Sequence, residues 1–163
     1  MRSFLVSTAA GIASLAVCAG VCAEPLARSG TIAYHTGWKF SGGVLNVADK
    51  HVQGHGTVSG VTFNDKGSGP LHQGPANCFD VFFLIEGRGK NKGFCAFGDP
   101  DGDRIFTEFT GMLVPEGGGS GTNEIVGGTG KYSGIQGSGP WKCKPAGAGG
   151  ELHCNQRLDY RLP

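Results

Sequence analysis

From Gly30 to the C-terminus, short runs rich in Val, Ile, Phe, Tyr and Thr alternate with clusters of Gly, Asp, Asn, Pro and Ser. The repeat of about 8 to 12 residues is that of successive strands joined by turns, as in a sandwich or barrel. Strands are predicted over Thr31–Phe40, His51–Phe63, Asn77–Glu86, Lys92–Phe97, Arg104–Val114, Thr122–Val126, Lys131–Gly137, Pro140–Lys144 and Leu152–Arg161. Asn64-Asp65-Lys66-Gly67, Asp99-Pro100-Asp101-Gly102 and Gly127-Gly128-Thr129-Gly130 carry turn chemistry between them.

Composition sharpens this picture. Glycine contributes 31 of 163 residues without a three-residue period, which excludes collagen, and it recurs too often for long helices. The chain therefore reads as one all-β domain. Before it, Met1-Arg2-Ser3 is a short positive lead, Phe4–Val21 an apolar stretch and Val21-Cys22-Ala23 a small-residue cleavage site, so residues 1–23 are expected to leave as a signal peptide. Residues 24–163 then form the mature domain, periplasmic or secreted, with no membrane attachment after cleavage. Neither Cys18 nor Cys22 follows the small residue that lipid attachment requires.

Removing the leader takes Arg2 and leaves basic and acidic residues equal in number, so nothing favours nucleic acid as a partner. Four cysteines remain in an exported chain: Cys78, Cys95, Cys143 and Cys154. They predict two disulfides. A turn centred within Pro145–Glu151 sets Cys143 opposite Cys154, with Trp141, Leu152, Leu158 and Tyr160 on their face and Lys142, Lys144, His153, Arg157, Asp159 and Arg161 on the other. Cys78 and Cys95 pair by exclusion only.

A four-residue turn at Asp99–Gly102 would set Cys95 opposite Phe106 and Gly93 opposite Glu108. Glu108 would then face inward beside Phe106 and Cys95, where burial raises a carboxyl pKa and suits it to proton transfer. The alternatives are that Cys95 faces the other way or that Glu108 lies at a solvated rim. On the strand that carries Cys78, Phe79, Val81, Phe83 and Ile85 form the more apolar face, which argues against Asp80 and Glu86 pointing inward.

Other chemistry is weaker. Gly127-Gly128-Thr129-Gly130-Lys131 lacks the first glycine and the hydroxyl of a phosphate loop, and no helix can follow it. Asp99-Pro100-Asp101-Gly102-Asp103 has acidic spacing suited to calcium, but Arg104 and Thr110 replace the glycine and glutamate of an EF-hand, leaving an ordinary turn as the better account. His51 and His55 lie too far apart on a strand to share a metal, and His72 has a turn-like setting in reach of a barrel mouth. No metal and no cofactor is expected.

Glu124-Ile125-Val126-Gly127-Gly128-Thr129-Gly130-Lys131-Tyr132-Ser133-Gly134-Ile135-Gln136-Gly137 resembles the glycine-rich segment of the allene oxide cyclase-like and dirigent-like β-barrels. Val61–Asp65, Gly67–His72 and Asp101–Asp103 look like pieces of exported bacterial members of that group. The resemblance implies a closed, calycin-like antiparallel barrel of about eight strands with an apolar cavity, acting on small hydrophobic molecules without a cofactor. No residue here matches the catalytic glutamate of the plant cyclases.

Three functions follow as expectations. The first is a binding barrel whose cavity is lined by Phe63, Phe82, Phe106, Trp141 and Tyr160. The second is a cofactor-independent cyclase or isomerase using Glu108. The third is a structural surface protein, to which the basic stripe Lys142, Lys144, Arg157 and Arg161 lends some support. Monomers and pairs joined through an outer face both fit.

Overall fold

The computed structural model describes residues 26–163, so the signal-peptide expectation, with Cys18 and Cys22, lies outside the described residues. Eight strands follow in order: β1 (Ser29–Ala48), β2 (His51–Asn64), β3 (Gly74–Ile85), β4 (Arg88–Gly98), β5 (Arg104–Leu113), β6 (Gly119–Gly128), β7 (Gln136–Pro145) and β8 (Glu151–Arg161). Each pairs antiparallel with its neighbours, and β1 pairs with β8 to close the barrel. This leaves few unpaired edges. The first strand is the longest, and beyond Lys39 it outruns β8. The β1–β2 hairpin therefore overhangs one end of the barrel.

The alternation of side chains sets the two surfaces. Even-numbered residues of β1, β2, β3 and β8 face inward, as do odd-numbered residues of β4, β5 and β7. The last hairpin has the register expected from its sequence, with Cys143 opposite Cys154 and bonded to it. Cys78 and Cys95 are also bonded, and here a register exists after all. The β3–β4 turn contains only Glu86 and Gly87, at φ of 52° and 77°, which brings Ile85 opposite Arg88 and Cys78 opposite Cys95. Two consecutive positive φ values are what a tight hairpin matched to strand twist requires.

Three expectations need correction. Lys131–Gly137 is not a strand; Gly130–Tyr132 is a 3-10 turn, and Tyr132 and Ile135 are buried at one end of the barrel. The β4–β5 connection spans Asp99–Asp103, one residue more than expected, so Cys95 lies opposite Thr107 and Phe94 opposite Glu108. A one-residue slip exchanges the two faces of a strand. Finally, Phe79, Phe83 and Ile85 point to solvent, each 40–50% exposed, while Asp80 points inward.

The end bearing the β2–β3, β4–β5 and β6–β7 connections is closed. Its hub is Asp99, which is 4% exposed. Asp99 Oδ1 accepts a hydrogen bond from the Leu71 backbone N–H (2.5 Å), and Oδ2 accepts from the Tyr132 hydroxyl (2.5 Å) and pairs with Lys131 Nζ (2.6 Å). Lys131 Nζ also reaches Asp101, and its backbone N–H donates to Asp103. The loop that looks like a phosphate cradle thus grips carboxylates of its own chain, and the acidic turn spends its oxygens on that loop. His72 belongs to this closed end, edge-on to Phe63, and not to the open mouth.

Candidate functional site

Interior glycines determine where the barrel is hollow. A Cβ on Gly54 would lie 2.1 Å from the Phe82 ring, one on Gly93 2.8 Å from Phe109, and one on Gly111 2.2 Å from Trp141 Cζ2. Each ring occupies space at the wall where another strand has no side chain. Lining the wall this way keeps the aromatics out of the barrel axis. Gly54, Phe82, Asn91, Gly111, Gly121 and Trp141 occupy one continuous row of ladder partners across β2 to β7.

The space that remains is a cavity of about 440 Å³ reaching the end opposite the Asp99 hub. That volume lies within the range of small-molecule sites. Trp38, Phe40, Val58, Phe82, Phe109 and Trp141 supply much of its wall, and Gly87, Val114–Pro115 and Gly150 ring the opening. The two disulfides line it from opposite sides, one on β3–β4 and the other on β7–β8.

Polar groups divide into two sets. On the floor, Gln156 Nε2 donates to Thr36 Oγ1 (2.9 Å), Asn123 Nδ2 to Gln156 Oε1 (3.2 Å), and Thr107 Oγ1 to Asn123 Oδ1 (3.3 Å). These buried groups satisfy one another. Nearer the opening, Asp80 Oδ1, Asn91 Oδ1 and Trp141 Nε1 are buried without a hydrogen-bond partner. Their residues are 8%, 8% and 7% exposed, and all three line the cavity. An unpaired buried polar atom ordinarily costs about 1–3 kcal/mol, so three in one cavity are a costly concentration.

Asp80 is the single ionisable side chain among the residues lining the cavity. Burial pushes its carboxyl up from 3.8 to about 6, against the opposing hydrogen bonds from the Asn91 side chain and the Val81 backbone. An acid whose pKa is higher folded than unfolded favours the folded state at low pH and loses that advantage as pH rises. Relative to Asp80→Asn, the protein should therefore lose stability between about pH 4 and pH 6, by at most about 3 kcal/mol. Urea unfolding of both chains at pH 4 and at pH 7.5 tests this. The variant should be the more stable at pH 7.5, and an equal gap at both pH values would remove Asp80 ionisation as the cause.

The five expected lining residues separate. Phe82 and Trp141 line the cavity. Tyr160 faces inward, but at the closed end, against Gly30. Phe63 is 37% exposed on the outer wall, stacked on His35, because odd positions of β2 face out. The corrected β5 register likewise turns Phe106 to the outer side. It also places Glu108 on the exposed outer face, away from the cavity. Sequence reasoning set Asp80 aside because its neighbours on the opposite face are more apolar. The spacing from Cys78 fixes both residues on one face, a signal that the apolar opposite face outweighed, and the disulfide turns that face inward.

No protein-family model and no curated protein matches the chain. Among solved structures it is similar to a protein of unknown function from the DUF3224 family of Shewanella oneidensis MR-1, with a TM-score of 0.52 and 11% identity, over 83% of this chain and 98% of that one. At that identity the likeness shows the fold: a closed eight-stranded antiparallel barrel. The two disulfides are compatible with an oxidising extracellular or periplasmic setting, and among the described residues no helix is long and apolar enough to cross a membrane.

Proposed function

We propose that this is an exported barrel that binds a small, mainly apolar molecule in its cavity. The observation that carries the reading is the contrast within one interior: a polar floor whose groups are mutually bonded, and above it an apolar chamber of about 440 Å³ with three unpaired polar atoms. A barrel filled by its own side chains has neither. The resemblance of Gly127–Gly137 to the allene oxide cyclase-like and dirigent-like barrels supports the same reading. So does the leader-like N-terminus for export.

A neutral fluorescent probe such as N-phenylnaphthylamine should bind with one-to-one stoichiometry and brighten. Leu84→Trp, which adds bulk to a lining residue near the opening, should abolish the signal while the far-ultraviolet circular dichroism is retained. Failure of neutral apolar probes to bind, or binding that Leu84→Trp leaves intact, overturns the proposal.

A catalytic reading of the same cavity rests on Asp80. An enclosed carboxyl that titrates near 6 can give or take a proton at a folded substrate. Chemical change of a bound molecule that stops in Asp80→Asn would favour it.

A further inference from the structure

The wall of the cavity carries more information than its size. Asp80 faces inward from β3, and Asn91 lies on β4, paired with Phe82, the next inward residue after Asp80. Their unpaired oxygens are therefore near neighbours on one side of the chamber. The Trp141 indole, rooted on β7, reaches over β6 to Gly111, which is the ladder partner of Asn91. Its Cζ2 is bonded to the ring carbon that bears Nε1, so the aromatic edge is brought to the strand beside Asn91. Two acceptors and the edge of an indole converge on one region of an otherwise apolar chamber.

Two hydrogen-bond acceptors, one of them a carboxyl, call for a donor with more than one proton to give. The strands packed against Asp80 offer one side-chain donor, the Asn91 amide, which already bonds the carboxyl, and no positive charge: β2 presents Gly56 and Val58 to it, and β4 presents Asn91, Gly93 and the disulfide-bonded Cys95. None of these titrates. Lys90 and Lys92 of β4 and His55 of β2 lie on the outer face of the same strands. Among the described residues, an ionised Asp80 thus has no cation beside it inside the cavity, and an anionic ligand would place a second negative charge there.

Resting on the cavity-binding reading, we infer that the occupant is an organic amine: an apolar body in the chamber, with an ammonium head that donates to Asp80 Oδ1 and Asn91 Oδ1. An ammonium has N–H groups enough for both acceptors and supplies the missing positive charge. Because an ammonium holds Asp80 ionised, amine binding should weaken as pH falls through about 6, where the empty site takes up a proton.

Three ligands of equal chain length separate the possibilities by calorimetry at pH 7.5: hexylamine, hexanol and hexanoate. Hexylamine should bind at least about tenfold more tightly than hexanol, and hexanoate should bind least, as charge-assisted hydrogen bonding and like-charge repulsion require. Asp80→Asn should lose the preference for amine while retaining hexanol. If hexanol equals hexylamine, if hexanoate binds best, or if the amine preference survives in Asp80→Asn, the amine inference falls and cavity binding stands. If none of the three binds, cavity binding falls and the amine inference with it.

Discussion

Asp99→Ala should cost about 3–5 kcal/mol of folding stability, a large fraction of what a domain of this size possesses. The side chain is almost fully buried and receives the Leu71 N–H, the Tyr132 hydroxyl and the Lys131 ammonium. Removing it leaves the first two without acceptors at the closed end, since Lys131 alone retains another carboxylate, Asp101. Leu71 aggravates the loss. It is a fully buried non-glycine residue at φ of 58°, a conformation that persists only where surrounding contacts hold it. Asp99→Asn keeps an acceptor for the Leu71 N–H and should cost roughly half as much. Urea denaturation measures both; a midpoint for Asp99→Ala close to that of the parent would show that the three contacts add nothing net.

Gly111→Ala should have the second largest effect, although it adds a single methyl group. The new Cβ would stand 2.2 Å from Trp141 Cζ2 and 2.8 Å from the Ser120 carbonyl oxygen, so the indole must leave its place. Overpacking of this kind costs about 1–3 kcal/mol. Displacing the ring would also alter the tryptophan emission, as Trp141 is 7% exposed where it lies. The mechanism predicts coupling: in a Trp141→Ala background, Gly111→Ala should cost less, since the collision with the ring is gone and only the Ser120 carbonyl contact remains. Additive effects in the double variant would show that the glycine serves β5 itself and not the ring.

These glycines also show what the sequence made legible and what it hid. Alternation and turn chemistry located all eight strands, because each has inward residues two apart and most are bounded by Gly, Asp or Pro. The Cys143–Cys154 register followed because the β7–β8 turn is long enough to be centred without knowing its conformation. The Asp99–Asp103 turn defeated the same arithmetic. Its Asp99 N–H bonds the Asp103 carbonyl, closing five residues where the dipeptide signals suggest four, and that single residue sent Glu108 outward.

Asp80 was missed for a different reason. The rule that the more apolar face turns inward assumes a filled interior, whereas here β3 puts Phe79 and Phe83 in solvent and a carboxyl in the chamber. The interior glycines hide a second relation. Gly54, Gly93 and Gly111 fall within predicted strands, but that they seat rings contributed by other strands is a relation that no local pattern displays.

The placement of the two disulfides bears on how the chain assembles. Each joins consecutive strands, with sequence separations of 17 and 11, so each can form within its own hairpin. In a chain that appears from its N-terminal end, Cys78 meets Cys95 before Cys143 is present, so oxidation in order of appearance yields the native pairing. The β1–β8 seam is the opposite case: it joins residues 29–39 to 151–161, must wait for the whole chain, and no covalent bond spans it. Oxidation therefore fixes the parts early while leaving the search for closure, the step that contact distance makes slow, to hydrogen bonds and packing.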